Sequence, residues 1–92
     1  MLQVTQEATT VIKEARRQSG APSNAGLRVR FERATEDATV MRINFQTEPE
    51  PTDQTIDALG LRVFVAMELI EPLSERVLDV SVTSEGPQLT VV

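Results

Sequence analysis

The 92-residue sequence contains no cysteine and no histidine. Without cysteine, a disulfide framework, a thiolate metal site and a cysteine nucleophile are all excluded. Without histidine, the side chain that most often carries a proton near neutral pH is missing too. We therefore expect no cofactor, and we do not expect an enzyme.

Aromatic residues, positive net charge and long apolar runs are also lacking. The net charge is −5, and the three phenylalanines are the only aromatic residues. An acidic chain is not expected to bind phosphate backbones in general, and no stacking platform for single strands is present. The longest apolar run spans residues 63–67, too short to cross a bilayer, and no basic segment followed by an apolar run opens the chain. We predict a soluble cytoplasmic protein that binds neither nucleic acid nor a membrane.

The first patterned segment predicts an amphipathic helix. Thr5 suits the N-cap position, Glu7 falls in the first turn, and Gly20 with Pro22 supplies the end. The spacing of apolar residues predicts a narrow, alanine-rich buried face made of Ala8, Val11, Ile12 and Ala15. Such a face is suited to close packing on a sheet.

The next segment predicts a hairpin between residues 27 and 45. Apolar residues alternate with polar ones on both strands, which predicts an inward face of Leu27, Val29, Phe31, Met41, Ile43 and Phe45. A polar turn over residues 34–38, centred on Glu36, sets Arg30 opposite Arg42 on the outer face. Like charges in that position are unfavourable, so either Glu32, diagonal to Arg42, and water screen them, or an anionic partner does.

The second half predicts short elements joined by turns. Residues 46–55 form a proline-containing connector, and its acids, with Asp57, are interpreted as solvated: Glu48, Glu50 and Asp53. A second hairpin is predicted around Gly60, from Ile56–Leu59 and Leu61–Ala66, with Phe64 buried on the second face. A short helix over Met67–Leu73, a strand from Leu78, a turn over residues 84–87 and a last strand over Gln88–Val92 complete the chain.

These elements predict an α+β fold in a single domain covering residues 1–92. About six short, mostly antiparallel strands form a sandwich or pseudo-barrel, capped by the N-terminal helix, with one short late helix. The sequence does not indicate whether the protein forms a homo-oligomer.

Six segments carry a resemblance to a known family: residues 4–8 (VTQEA), 26–29 (GLRV), 45–49 (FQTEP), 60–65 (GLRVFV), 69–73 (LIEPL) and 78–80 (LDV). Their order and spacing resemble the HesB/IscA family, the A-type iron-sulfur cluster carriers and scaffolds. The resemblance extends over nearly the whole chain and implies the fold of that family.

The departures from the family fall on its metal ligands. The family places a cysteine beside Ser-Gly in the turn of the first hairpin, and a Cys-Gly-Cys pair in a carboxy-terminal tail. Here Glu36, Asp37 and Ala38 occupy the corresponding turn, and the sequence ends at Val92 before any such tail. Iron-sulfur clusters are held by thiolates almost without exception, so the resemblance implies the fold without the cluster ligands.

We therefore predict a non-catalytic, cysteine-free HesB/IscA-like domain of uncertain role that acts by binding a protein or small partner. The candidate contact residues are Arg28, Arg30 and Arg42, which share the outer face of the first hairpin. Association into a homo-oligomer through a free sheet edge is the other form of interaction that the sequence allows.

Two alternatives use carboxylates. Glu36 and Asp37, helped by Glu32, could bind iron or another cation through oxygen, although adjacent carboxylates at a turn most often only solvate it. Glu32 and Glu36 could instead act as an acid and base, but this needs a pKa raised by burial, and each acid falls in a polar run or at an outward strand position.

Overall fold

The computed structural model describes residues 1–35 and 38–92, with the backbone alone for residues 31–34 and 38–41. The described residues form two sheets, a long helix near the start and a short helix late in the chain, which confirms the α+β class. The sheets pack together without closing into a barrel within these residues. In chain order the elements are β1 Gln3–Val4, α1 Gln6–Ser19, β2 Gly26–Thr35, β3 Ala38–Gln46, β4 Gln54–Ala58, β5 Leu61–Val65, α2 Met67–Ile70, β6 Val77–Thr83 and β7 Gly86–Val91.

The ends of α1 agree with the sequence prediction. Thr5 is the N-cap, and its Oγ1 accepts a hydrogen bond from the Ala8 amide at 3.1 Å. Gly20 ends the helix with a φ of 79°, a left-handed conformation that glycine adopts without a steric cost.

The predicted buried face of α1 is partly wrong. Ala8 and Ile12 are buried, but Ala15 is exposed and Thr9 is buried in its place. Arg16, one turn beyond Ile12, continues the inward side, and its Nη1 donates to the Ala25 carbonyl oxygen at 2.9 Å. The helix is therefore rotated so that a guanidinium, rather than a methyl group, meets the start of β2.

The register of the β2–β3 hairpin is confirmed. Leu27 pairs with Phe45, Val29 with Ile43, and Arg30 with Arg42. The predicted turn over residues 34–38 is too long, because β2 continues to Thr35, which pairs with Ala38 after a register shift that begins at Arg33. Between these pairs β2 has one more residue than β3, and the two strands continue to pair beyond this irregularity.

One inward position of this hairpin is not buried. Ile43 lies opposite Val29, as expected, yet 47% of it is exposed whereas only 1% of Val29 is. The order of the first sheet is β3-β2-β5-β4, so β3 is its edge strand as described, and the core does not extend fully under it. The prediction that Ile43 is buried is therefore wrong, and the predictions for Phe31 and Met41 concern side chains outside the described set.

Parallel pairing links the two halves of the chain, which local turn signals did not indicate. β2 runs parallel to β5, with Leu27 beside Val63, and β1 runs parallel to β6 in the second sheet, whose order is β1-β6-β7. The β4–β5 hairpin forms as predicted, through a turn in which Leu59 and Gly60 have φ values of 53° and 85°.

The late elements are shorter or longer than predicted. The helix ends at Ile70 rather than Leu73, while β7 begins at Gly86 rather than Gln88. Gly86 and Pro87 pair with Thr83 and Val82, so the predicted turn over residues 84–87 is wrong in its second half. Neither helix of the described chain is long and apolar enough to span a membrane.

The core lies between the first sheet, α1 and the second sheet. Branched aliphatic side chains form most of it, as expected from the scarcity of aromatic residues. Its members include Leu2, Ile12, Leu27, Val29, Leu61, Val63, Val65, Leu69 and Leu78. Phe64 is fully buried on the opposite face of β5, which confirms that both faces of this strand are covered.

Candidate functional site

The predicted arginines lie on the face of the first sheet that points away from this core. Arg28 alternates with Leu27 and Val29 on β2, and it pairs laterally with Phe64 of the parallel strand. Arg30 follows two residues later, directly opposite Arg42 on β3. The strand register therefore brings the three candidate residues to one face.

Arg28 is engaged within the protein. Its Nε donates to Asp53 Oδ2 at 2.8 Å and its Nη2 to Asp53 Oδ1 at 3.0 Å, a bidentate ion pair. The Arg28 side chain is 17% exposed and the Asp53 side chain is fully buried. Arg28 is thus a structural residue that fixes the segment before β4.

The interpretation of Asp53 as part of a solvated acidic connector is wrong. Its Oδ2 also accepts a hydrogen bond from the Glu50 amide at 3.0 Å, which holds the Glu50–Asp53 turn against the sheet. The hydrogen bonds from Arg28 hold the pKa of the Asp53 carboxyl below its ordinary value of 3.8, against the opposing effect of burial. The partners are 25 residues apart, so no local pattern could have indicated the pair.

A second arginine covers the other end of this face. The Arg62 guanidinium lies 5.2 Å from the centroid of the Phe64 ring, and its Nη2 donates to the carbonyl oxygens of Asn24 at 2.6 Å and Thr47 at 2.8 Å. These contacts close the segment after β3 over Phe64. Gly26 lies beneath, where an added Cβ would stand 2.7 Å from the Arg62 carbonyl oxygen and 2.8 Å from Phe64 Cε2.

What remains of the predicted face is an arginine patch, by which we mean Arg30, Arg42 and Asn44; Ile43, between the last two, lies on the opposite face of β3. Arg30 is half-buried, and the other three residues are exposed. Both arginines also have interactions within the chain. The patch spans β2 and the edge strand β3, and Arg42 and Asn44 on β3 lie next to backbone that could receive another strand.

The predicted carboxylate site falls on Glu36 and Asp37, which lie outside the described residues. Among the described residues, no three aspartate or glutamate side chains come together in a way that could hold a metal ion. An iron-sulfur cluster does not fit the donor set of this chain either, since cysteine and histidine are absent from the whole sequence. We therefore derive no chemistry through such a cluster.

The two sheets, the helix that covers them and the order of the strands are similar to those of the HesB/IscA fold. Three solved structures resemble it. IscA with a [2Fe-2S] cluster aligns with a TM-score of 0.82 and 21% identity, over 100% of this chain and 84% of IscA. Escherichia coli SufA, involved in the biosynthesis of iron-sulfur clusters, aligns with a TM-score of 0.78 and 16% identity, over 99% of this chain and 83% of SufA. The solution structure of a protein from Aquifex aeolicus has a TM-score of 0.75 and 21% identity, over 99% of this chain and 89% of that one.

These similarities confirm the resemblance predicted from the six sequence segments at the level of the fold. No protein-family model and no curated protein sequence matches the chain. The chain thus combines the fold of iron-sulfur assembly proteins with a sequence that has no cysteine.

Proposed function

We propose that this protein acts without catalysis, by binding an acidic, extended segment of a protein partner at the arginine patch. The observation that carries the proposal is the direct pairing of Arg30 with Arg42 on adjacent strands. Like charges opposite each other destabilise a strand pair, and an anionic partner would offset that cost. Each guanidinium has five N–H donors, so it can accommodate a partner carboxylate beside its interactions within the chain.

The position of the patch supports an extended partner. β3 is nine residues long and is the edge strand of its sheet as described, so a further strand can add there through backbone hydrogen bonds. Ile43, 47% exposed on the opposite face, offers an apolar contact to the same strand. In the partner strand we expect acidic side chains that face Arg42 to alternate with apolar side chains on the side of Ile43.

The overall charge of the protein favours selectivity at this patch. At −5, the chain repels acidic proteins in general, so attraction is confined to the places where cations gather. Arg28 is not part of the contact that we propose, because its guanidinium is bound to Asp53.

Affinity capture from extract of the protein's own cells tests the proposal. The wild type is compared with the Arg30→Glu, Arg42→Glu variant and with a control that carries the same change of charge elsewhere, Arg17→Glu, Arg76→Glu. We expect a protein with an acidic strand segment to be recovered by the wild type and the control and lost by the first variant. A synthetic peptide of that segment should then bind the wild type more weakly as salt is raised. Equal recovery by all three baits would contradict the proposal.

A further inference from the structure

An open groove of about 650 Å³ lies along the second half of α1, away from the arginine patch. Its walls are formed by Thr10, Lys13, Glu14, Arg16 and Arg17 of the helix and by Ala21 and Ser23 of the loop that follows. The volume is within the range of roughly 300 to 1,000 Å³ that small-molecule sites occupy. Three basic side chains and one acidic side chain therefore line a concave surface of an acidic protein.

Two of these cations are fixed in place by backbone carbonyl groups. Lys13, the single lysine of the sequence, donates from Nζ to the Leu59 carbonyl oxygen at 2.7 Å. Arg16 donates from Nη1 to the Ala25 carbonyl oxygen at 2.9 Å. Because β2 and β5 run parallel, with Leu27 beside Val63, the two carbonyl groups precede their strands at the same end of the sheet. The fold thus anchors both cations at one end of the sheet.

The same two cations differ from Arg17 in their partners. Arg17 is neutralised by Glu14, with Nε donating to Oε2 at 3.0 Å. Among the described hydrogen bonds and ion pairs, no carboxylate contacts Lys13 or Arg16, and each uses one donor out of three and five, respectively. Spare donors held at a fixed position are suited to an oxyanion, since little side-chain freedom remains to be lost on binding.

We propose that this groove binds a small anion carrying phosphate or carboxylate groups. Its oxygens accept hydrogen bonds from Lys13 Nζ and the Arg16 guanidinium, and the Ser23 hydroxyl provides a further donor across the groove. The site uses neither Arg30 nor Arg42, so it is independent of the partner-binding proposal and either can fail without the other.

The first test is a titration of the isotope-labelled protein with inorganic phosphate, pyrophosphate and citrate, followed by amide NMR shifts at constant pH and ionic strength in a chloride baseline. We expect saturable shifts that concentrate in residues 13–25 and at Leu59 and Gly60, with the multivalent anions binding more tightly than phosphate. Shifts that do not saturate, or that spread evenly over all arginine-bearing surfaces, would overturn the proposal.

Variants then test the assignment of donors. Lys13→Met keeps the apolar stem and removes the charge, and we expect it to weaken pyrophosphate binding about tenfold or more. Arg76→Gln, which removes one charge at an exposed position outside the groove, is the matched control and should leave affinity unchanged. Equal affinities in the two variants would contradict the assignment.

A second pair of variants avoids the contact with Leu59. Ser23→Glu places a carboxylate in the exposed loop wall of the groove, and Ser81→Glu places one on the exposed face of β6. We expect the first to abolish the saturable shifts and the second to retain them, with dispersed spectra in both. Retention of binding by Ser23→Glu would refute the site even if Lys13→Met did not fold.

Discussion

Replacing Asp53 with asparagine removes the charge from the buried end of the Arg28 ion pair. The Asp53 side chain is fully buried, and it is bound to two donors of Arg28 and to the Glu50 amide. Breaking a buried pair costs about 3 to 5 kcal/mol. Because Arg28 is 17% exposed and asparagine can keep a neutral hydrogen bond, we expect a loss of about 2 to 3 kcal/mol in the free energy of unfolding. For a domain of this size, that lowers Tm by about 10 to 20 °C.

Urea unfolding at pH 7, followed by circular dichroism, measures this loss. Glu14→Gln is the matched control, because it removes the same charge from the exposed ion pair with Arg17, and we expect no resolvable change in stability. A double-mutant cycle with Arg28→Met isolates the interaction itself. The combined variant should be less destabilised than the sum of the two single variants.

The direction of the Asp53 pKa shift determines how the stability should change with pH. The pKa of Asp53 is lower in the folded protein than in the unfolded chain, so the unfolded state takes up its proton first as the pH falls. The stability that the pair contributes is fully present above the ordinary pKa of 3.8 and is lost as the pH falls through the folded value. The difference between the wild type and Asp53→Asn should therefore be constant near neutral pH and shrink in acid.

Two results would refute this reasoning. One is an Asp53→Asn variant as stable at pH 7 as the Glu14→Gln control. The other is a stability difference that does not change between neutral pH and strong acid, since a loss from packing alone would not titrate.

Two further predictions follow from other parts of the molecule. Gly26→Ala should lower the free energy of unfolding by about 1 to 3 kcal/mol in urea titrations, because its Cβ would stand 2.8 Å from the buried Phe64 ring; a variant as stable as the wild type would contradict the packing. Anaerobic titration with Fe(II) should show no saturable binding at micromolar metal. Binding that disappears in the Glu36→Gln, Asp37→Asn variant would instead establish the carboxylate site.

Much of the fold could be predicted from the sequence, because its signals are local. The cap at Thr5 and the left-handed end at Gly20 set the bounds of α1. Alternation between apolar and polar residues fixed the register that pairs Arg30 with Arg42, since a slip by one residue would expose the apolar set. The tip of this hairpin was less predictable, because a register shift near Thr35 changes the loop without changing the alternation of residues.

The candidate surface was predicted less well than the fold. The sequence indicated three equivalent arginines on one face, and the structure separates Arg28 from the other two by burying its guanidinium against Asp53. It also places Arg16, rather than Ala15, on the inward side of α1. Neither outcome has a local signal, because each depends on which distant backbone or side chain lies within hydrogen-bonding distance.

The sequence by itself determined what this protein lacks: with no cysteine or histidine, it cannot hold an iron-sulfur cluster as thiolate-bearing proteins do. It also determined the periodicity of each element, since periodicity depends only on neighbouring residues. The tertiary structure alone decided which cations are held by which distant groups of the chain. Three features depend on contacts between distant segments: the parallel pairing of β2 with β5, the ion pair of Asp53 with Arg28, and the hydrogen bond from Lys13 to the Leu59 carbonyl oxygen. They form only when the core has packed.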